Sequence, residues 1–517
     1  MNQRILIIVS TLILAAAFCP CMQGFSDVLL PRWYLTGGVF LMIGIVSAWN
    51  DSLCFAIGKA TSFPIASALI LSAECIYALT RHYSYGYPLS GTFDNQTGMA
   101  LNLCLLLPAL SWNFKARRMW VKWTLIAVAL LTAVTVVMSE CRTGMICIGI
   151  YLAILIWHSL KCRRIWRMAL ILLLAGIASW GVFGMKHDST SGRSFIIART
   201  MELISERPLF GYGHNGFERE YMQHQADFFM HHPDSEYAWL ADDISHPLSE
   251  FLLVWTDYGI LATILLLTLF ILPFSLYFSN RDKQLGRLLP SMITIIVFSV
   301  FSYPFMYPLT ALTCLVVVYV CARQMGLNKW IRKQWPLMGT RKGRIVKTAA
   351  CSALLLLLCW QYSYEYRFSQ AIDRMNSHRS HAALPRFNAL YSHYHGNQYF
   401  LYAYMGCQYR TSHLYEALNT AWQLKQYCSS YDIELLTGDI FRHLSDHLQA
   451  LSHYERAYWM CPVRFAPLEG MLLTYEDMGN CVKRDSIAHV ISQKPVKVPS
   501  ADVERIRQLA RECLDGR

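Results

Sequence analysis

Charge is what this 517-residue chain has least of. Only 15% of its residues are charged, against about 25% in soluble domains. With 54% of its residues hydrophobic, it is not an ordinary soluble protein. Acidic residues are scarcer than basic ones, 34 against 46, which leaves a formal net charge of +12. That excess alone invites a nucleic-acid reading, but the basic residues are not spread over a surface. They gather in short connections between apolar runs: Lys115–Arg118 with Lys122, Lys161–Arg164 with Arg167, Arg281–Arg287, and Arg323–Lys347. Clusters in short connections follow the positive-inside rule and mark the cytoplasmic face of a membrane. A C-x-x-C pair is missing among the cysteines of the C-terminal part, Cys407, Cys428, Cys461, Cys481 and Cys513, so no metal or redox signature is present there. A Cys428–Cys461 disulfide is one arrangement an oxidising compartment allows. The other cysteines lie in or beside apolar runs, where the residue behaves as a small hydrophobe. Gly211-Tyr-Gly213 follows no strand and lacks the full dinucleotide fingerprint, which excludes a Rossmann reading.

What the chain does have is apolar runs. They cover Ile5–Phe18, Tyr34–Trp49, Phe63–Leu79, Thr97–Phe114, Trp123–Met138, Met145–Leu160, Met168–Met185, Pro247–Phe278, Leu289–Tyr307, Thr310–Ala322 and Thr348–Tyr362. Each spans, or nearly spans, a hydrocarbon layer of about 30 Å, giving about eleven spans. Asp51–Thr61 reads as a re-entrant piece. The four basic clusters fall in every second connection, so the topology closes without contradiction. It places the N-terminus in the cytoplasm, and residues 186–245 and everything after Tyr362 outside. Met1–Arg4 and Ala15–Ala17 look like the flanks of a signal peptide; the expectation is an uncleaved first helix.

The fold expected is all-α: a polytopic membrane helix bundle over 1–362, interrupted by an external segment 186–245, then a soluble α-helical repeat domain over 363–517. In the last part Pro462 and Pro495 lie 33 residues apart, and Ala417, Leu418 and Cys428 find Ala450, Leu451 and Cys461 at the same offset. Ala450–Ala457 followed by Pro462 resembles the second helix of a tetratricopeptide repeat, whose period is about 34 residues. Such helix pairs bury their apolar faces by stacking and offer a concave surface to a protein partner.

The residues able to carry chemistry cluster around the long connection, because loops of that length are usually functional. Lys186–Ser245 holds ten acidic and five basic residues. Ile197, Met201 and Ile204 fall at i, i+4, i+7 and predict a helix ending before Pro208. Arg142, in Ser139-Glu140-Cys-Arg-Thr-Gly144, sits at a membrane edge with Glu140 as a neighbouring carboxylate. A charge at bilayer depth costs about 2.5–3.5 kcal/mol at a helix centre, which makes Arg142 a functional candidate. Arg193 and Arg199 follow, and guanidinium forks suit phosphate oxygens. Gly211 and Gly213 permit a tight turn or close backbone approach. His246 stands where the chain re-enters the bilayer; Pro247 suits a helix's first turn, and Glu250 follows. A histidine there is a candidate general base. Glu74 is the one acidic residue well inside a span. His224, His231, His232, Asp234, Asp242 and Asp243 match no recognised ligand spacing, so no metal is expected.

Four elements together resemble the O-antigen ligase and polymerase superfamily. Gly91–Gly98 is similar to its Gly-Thr-Phe…Asn element, and Ser139–Gly144 to its Ser-Arg-Thr-Gly element, with Cys141 in place of a serine. Gly192-Arg193 and Pro208–Gly213 resemble its Gly-Arg…Pro-Leu-Leu-Gly-x-Gly element, and His246–Gly259 its His-Asn…Glu-x-Gly element, with Pro247 in place of Asn. The resemblance implies a fold like that of other membrane (GT-C-like) glycosyltransferases. It implies an inverting, metal-independent transfer, without a cofactor, of a preassembled glycan from a polyprenyl diphosphate carrier to a hydroxyl. The acceptor would be lipid A core, another glycan repeat unit (as in a polymerase), or Ser/Thr of a protein. The setting implied is the periplasmic face of a bacterial inner membrane. Arg142 and Arg193, with Arg199 in reserve, would bind the diphosphate; His246 would take the hydroxyl proton; Glu140, Gly211, Gly213 and Glu250 would support them. A transporter of lipid-linked glycan is the alternative of another class, and it would show inverted repeats or many charges within spans.

Overall fold

The structure, a computed structural model, describes residues 3–19, 29–49, 63–112, 114, 117–159, 188–327 and 340–515. Every regular element among these residues is a helix. In chain order these are α1 (Gln3–Ala17), α2 (Leu30–Trp49), α3 (Phe63–Tyr85), α4 (Gln96–Leu106), α5 (Met119–Met138), α6 (Arg142–Ser159), α7 (Asp188–Glu206) and α8 (Gly216–His231). Then come α9 (Glu250–Asn280), α10 (Lys283–Phe301), α11 (Pro308–Gln324) and α12 (Arg341–Asn376). The C-terminal series is α13 (Ser380–Tyr394), α14 (Gln398–Arg410), α15 (Leu414–Leu424), α16 (Tyr431–His443), α17 (His447–Met460), α18 (Ala466–Asp477), α19 (Cys481–Gln493) and α20 (Ala501–Asp515). Among the described residues six helices, α2, α3, α5, α9, α10 and α12, are long and apolar enough to cross a membrane. Four more apolar stretches are shorter: Ile7–Ala17, Gln96–Ser111, Arg142–Trp157 and Pro308–Gln324. The run Met168–Met185 and the stretch Asp51–Thr61 lie outside the described residues.

Packing divides the chain into two compact units, one of residues 1–185 and 265–366, the other of 186–264 and 367–517. In the first, α4 is the hub. Every residue from Gly98 to Leu106 is buried, and α4 packs against α3, α5, α6, α10 and α11. A helix apolar on all sides belongs in such a place. Its start is fixed by the Gly91–Gly98 element. Asn95 Oδ1 accepts the Gly98 N–H at 2.7 Å, a side-chain cap. Tyr307 donates its hydroxyl to Asp94 at 2.8 Å, and its ring lies where a Cβ on Gly98 would come within 2.1 Å of the phenol oxygen. Glu74 is committed to this turn: it accepts the Thr92 N–H at 2.8 Å and the Thr92 hydroxyl at 3.0 Å. Arg32, fully buried, donates to the Thr92 carbonyl and lies 4.0 Å above the Phe93 ring. Two buried charges of opposite sign thus bind one residue, and removing either leaves the other uncompensated.

In the second unit, α15, α17 and α19 begin 33 and 34 residues apart, and α14, α16 and α18 begin 33 and 35 apart. From α13 to α20 each helix packs on the next, and α14, α16, α18 and α20 also touch in succession. Small residues allow the close crossings. Ala417 and Ala450 are fully buried, and the Tyr454 ring sits over Gly438 and Gly470, where an added Cβ would come within 2.7 and 2.5 Å. Cys428 and Cys461 are both free thiols, so the disulfide considered from sequence is not formed.

The long connection folds onto these helices. Phe217, Tyr221, Met222 and Ala226 of α8 share a core with Ala457, Met460 and Cys461. Arg456 of α17 donates to the Gln223 side chain (2.5 Å), the Gln223 carbonyl (3.0 Å) and Asp227 (2.5 Å). Gln225 donates to the Met460 carbonyl at 2.7 Å, and Gln398 to Glu218 at 2.6 Å. The helix expected before Pro208 is α7, but its buried face is Phe195, Ile196, Thr200, Leu203 and Ile204, whereas Ile197 and Met201 are exposed. The apolar stripe is wide enough that the i, i+4, i+7 pattern selected its flank; packing on α8 and the turn at 236–239 chose the centre.

Candidate functional site

Two of the sequence elements form a single clamp in the second unit. Residues 208–217 lie along the first turns of α9, whose helix is broken at Gly259 (φ 80°, ψ −179°). The Tyr212 and Gly213 amides donate to the carbonyls of Thr256 (2.9 Å) and Asp257 (2.7 Å), and the Ile260 amide donates back to Pro208 (3.0 Å). Trp255 adds its indole N–H to the Pro208 carbonyl at 3.1 Å. Only glycine fits at two of these positions. A Cβ on Gly259 would come within 2.0 Å of the Leu209 carbonyl oxygen, and one on Gly211 (φ +66°) within 2.5 Å of the Asp257 carbonyl. Gly211 of the Gly-x-Gly element thus brings backbone close to backbone, whereas Gly213, with φ +89°, has open space beside it and serves the turn. Asp257, to which sequence reasoning gave no role, accepts the Phe217 N–H at 2.9 Å and caps α8 from across the clamp.

His246 stands four residues before α9. The turn differs from expectation: α9 begins at Glu250, so Pro247 precedes the helix and is not in its first turn. The cause is local. Leu248 has φ +59°, which no α-helical residue adopts, and its N–H points back to His246 Nδ1 at 3.1 Å. Because a backbone N–H always donates, the neutral ring keeps its lone pair on Nδ1 and its proton on Nε2. Burial pushes the imidazole down to about 4, so it is neutral at pH 7. Glu250 is buried at the start of α9, where a carboxylate favours the helix dipole. The segment before His246 is tied to its surroundings. The Asp242 carbonyl accepts from Gln225 at 3.1 Å and its carboxylate from Arg464 at 2.7 Å; the Ile244 N–H meets the Met222 sulfur at 3.3 Å.

Arg142 and Glu140 belong to the first unit. Ser139, buried, donates to the Val136 carbonyl at 2.7 Å, Glu140 turns the chain with φ +54°, and Arg142 opens α6. Gly144 lets α6 approach α4 and α5: a Cβ there would meet Val136 at 2.8 Å and Ala100 at 3.1 Å. A cation at a helix N-terminus opposes the dipole, whereas the cation and the dipole both favour a bound anion.

Arg193 is exposed on α7. Arg199, two turns on, is employed in packing: it pairs with Glu202 at 2.6 Å and stacks 4.1 Å over the Phe228 ring. It lines a shallow cavity of about 210 Å³ with His224, His231 and His232. His231 and His232 donate Nδ1–H to the carbonyls of Asp227 (2.7 Å) and Phe228 (3.0 Å). Among the described residues no three His, Cys, Asp or Glu side chains converge as a metal-binding group.

Helices of membrane-crossing length and apolarity, together with a long connection folded on a separate helical unit, define a polytopic membrane protein with a built extension. Within that class the assignment is specific: residues 96–267 match the O-antigen ligase family model, and this stretch is an O-antigen ligase domain. The match covers about a third of the chain, all of it within or between the apolar helices and the long connection. No curated protein matches the chain. Arg142, Arg193, Arg199, Gly211, Gly213, His246 and Glu250 all fall inside the matched segment.

Proposed function

We propose that the chain is a glycosyltransferase that moves a preassembled glycan from a polyprenyl diphosphate carrier to an acceptor hydroxyl, on the outer face of a bacterial inner membrane. The observation that carries this reading is the O-antigen ligase match over the segment that holds its arginines and His246. Arg142 and Arg193 are assigned to the diphosphate. Negative charge grows on that leaving group as the glycosidic bond breaks, and fixed guanidinium donors stabilise it more in the transition state than in the ground state. His246 is assigned to the acceptor hydroxyl. Its neutral ring supports the role, and its geometry adds a condition: the lone pair is at Nδ1, so taking a proton requires the Leu248 N–H to let go. The displacement proceeds with inversion and without metal.

The acceptor is lipid A core or a protein hydroxyl in this proposal, with α13–α20 as tetratricopeptide-like helix pairs; their start intervals of 33 to 35 residues support that naming. A repeat-unit polymerase is the neighbouring reading. The test is transfer in membranes bearing Arg193→Ala or His246→Ala at wild-type abundance. Loss of transfer in both is expected, and full activity in both overturns the proposal.

A further inference from the structure

A cavity of about 370 Å³ lies within the second unit, and none of the residues assigned above lines it. One wall is the long connection, with Pro233 and Trp239; the other is the C-terminal helical series, with Tyr458, Pro462, Gln493 and Lys494. Its volume is at the lower end of ligand-sized pockets, about 300–1,000 Å³. The first wall is held rigid. Tyr237, in the turn Glu236–Trp239, stacks on Phe195 at 5.1 Å, and the Ala241 N–H closes the turn on the Tyr237 carbonyl at 2.9 Å. Yet Trp239 at the end of that turn is 42% exposed. On the second wall the Lys494 ammonium donates to the Pro462 carbonyl and lies 5.0 Å from the Tyr458 ring centre. Its own carbonyl accepts from Arg507 at 2.6 Å. Two aromatic rings, flat proline walls and a pair of nitrogen donors therefore face one space.

This combination selects among ligands. Ring faces carry partial negative charge and attract the weakly positive C–H face of a sugar ring, while an amide and an ammonium serve its hydroxyls. A phosphate would need more than one lysine already engaged with a carbonyl. An extended peptide would look for a free strand edge, and none is present among the described residues.

We propose that this cavity is a glycan subsite holding one or two sugar rings, either of the glycan being transferred or of the acceptor glycan. The inference rests on the glycosyltransferase reading above. It gives the C-terminal helices a direct part in substrate binding, because the site has one wall only without them.

The test uses the full-length protein in detergent and ligand-observed saturation-transfer NMR with two probes. One is the glycan released by mild acid from the polyprenyl-linked pool of a strain lacking this gene; the other is the oligosaccharide of that strain's mature surface glycolipid. Wild type binds at least one probe, the first pointing to the donor and the second to the acceptor. Trp239→Ala weakens that binding about tenfold, Trp239→Phe restores most of it, and Trp422→Ala, on a separate exposed tryptophan, leaves it unchanged. Wild-type-level binding by both Trp239→Ala and Tyr458→Ala, or binding of neither probe by wild type, overturns the subsite. A deletion strain that accumulates no lipid-linked glycan overturns the enzyme reading and the subsite with it. Accumulation together with Trp239-independent binding removes the subsite alone.

Discussion

Gly259 and His246 show how single residues set the site's geometry. A methyl on Gly259 would both strain φ +80° and strike the Leu209 carbonyl, a cost of about 1–3 kcal/mol for the strain alone. Gly259→Ala is therefore expected to open the clamp, lower the melting temperature of the purified protein and reduce transfer. Unchanged melting and transfer would mean that the clamp is not needed. His246 makes a pH prediction. Its ring is neutral above about 4, so protonation of this base does not limit transfer between pH 5 and 8, and the acid limb of kcat/KM falls near 4. A limb near 6.5, the value of an unperturbed histidine, would place a different group in the role. At Arg193, lysine keeps the charge but loses the bidentate fork. Arg193→Lys is expected to retain a fraction of the activity and Arg193→Ala none; equal loss in both would shift the argument from charge to shape.

Elements show what the sequence reveals and what it hides. The apolar runs were legible because a bilayer demands about 20 apolar residues in a row, and Tyr34–Trp49 and Trp123–Met138 lie within α2 and α5. Ala417 and Ala450, 33 positions apart, are both fully buried, as small residues are where helices cross. The partner of α8 was not legible. No periodicity says that Phe217 and Tyr221 will bury against Ala457 and Met460, and Arg456 gives no local sign that it will reach Gln223 and Asp227. The cap from Asp257 to α8 is hidden for the same reason: 40 residues separate donor and acceptor. Arg456 makes the docking testable. Arg456→Ala leaves Asp227 and the Gln223 carbonyl without their donor, about 1–3 kcal/mol. It is expected to make the connection 206–216 a faster protease target while α13–α20 stay resistant, with transfer reduced and Arg456→Lys intermediate. Cleavage at the wild-type rate would show that the salt bridge does not hold α8.

At the scale of the whole molecule, the O-antigen ligase match over residues 96–267 runs through both compact units, and its long connection folds with the C-terminal helices. The family was legible because short motifs stood in order along the chain. The unit boundaries were not, since contacts between residues far apart in the chain decide them, as between Gln398 and Glu218, 180 positions away. Several buried polar groups in the first unit, including Glu74 and Arg32, are explained by the turn they stabilise. The central claim is that the chain moves a glycan off a lipid diphosphate. Mass spectrometry of the lipid-linked glycan pool, the surface glycolipid and the secreted glycoproteins tests it in one comparison, between a deletion strain and the same strain complemented with wild type or His246→Ala. The account predicts that the deletion strain and the His246→Ala strain accumulate the polyprenyl diphosphate glycan and lose it from one acceptor, with wild type restoring both. An unchanged pool and fully glycosylated acceptors in the deletion strain would contradict it.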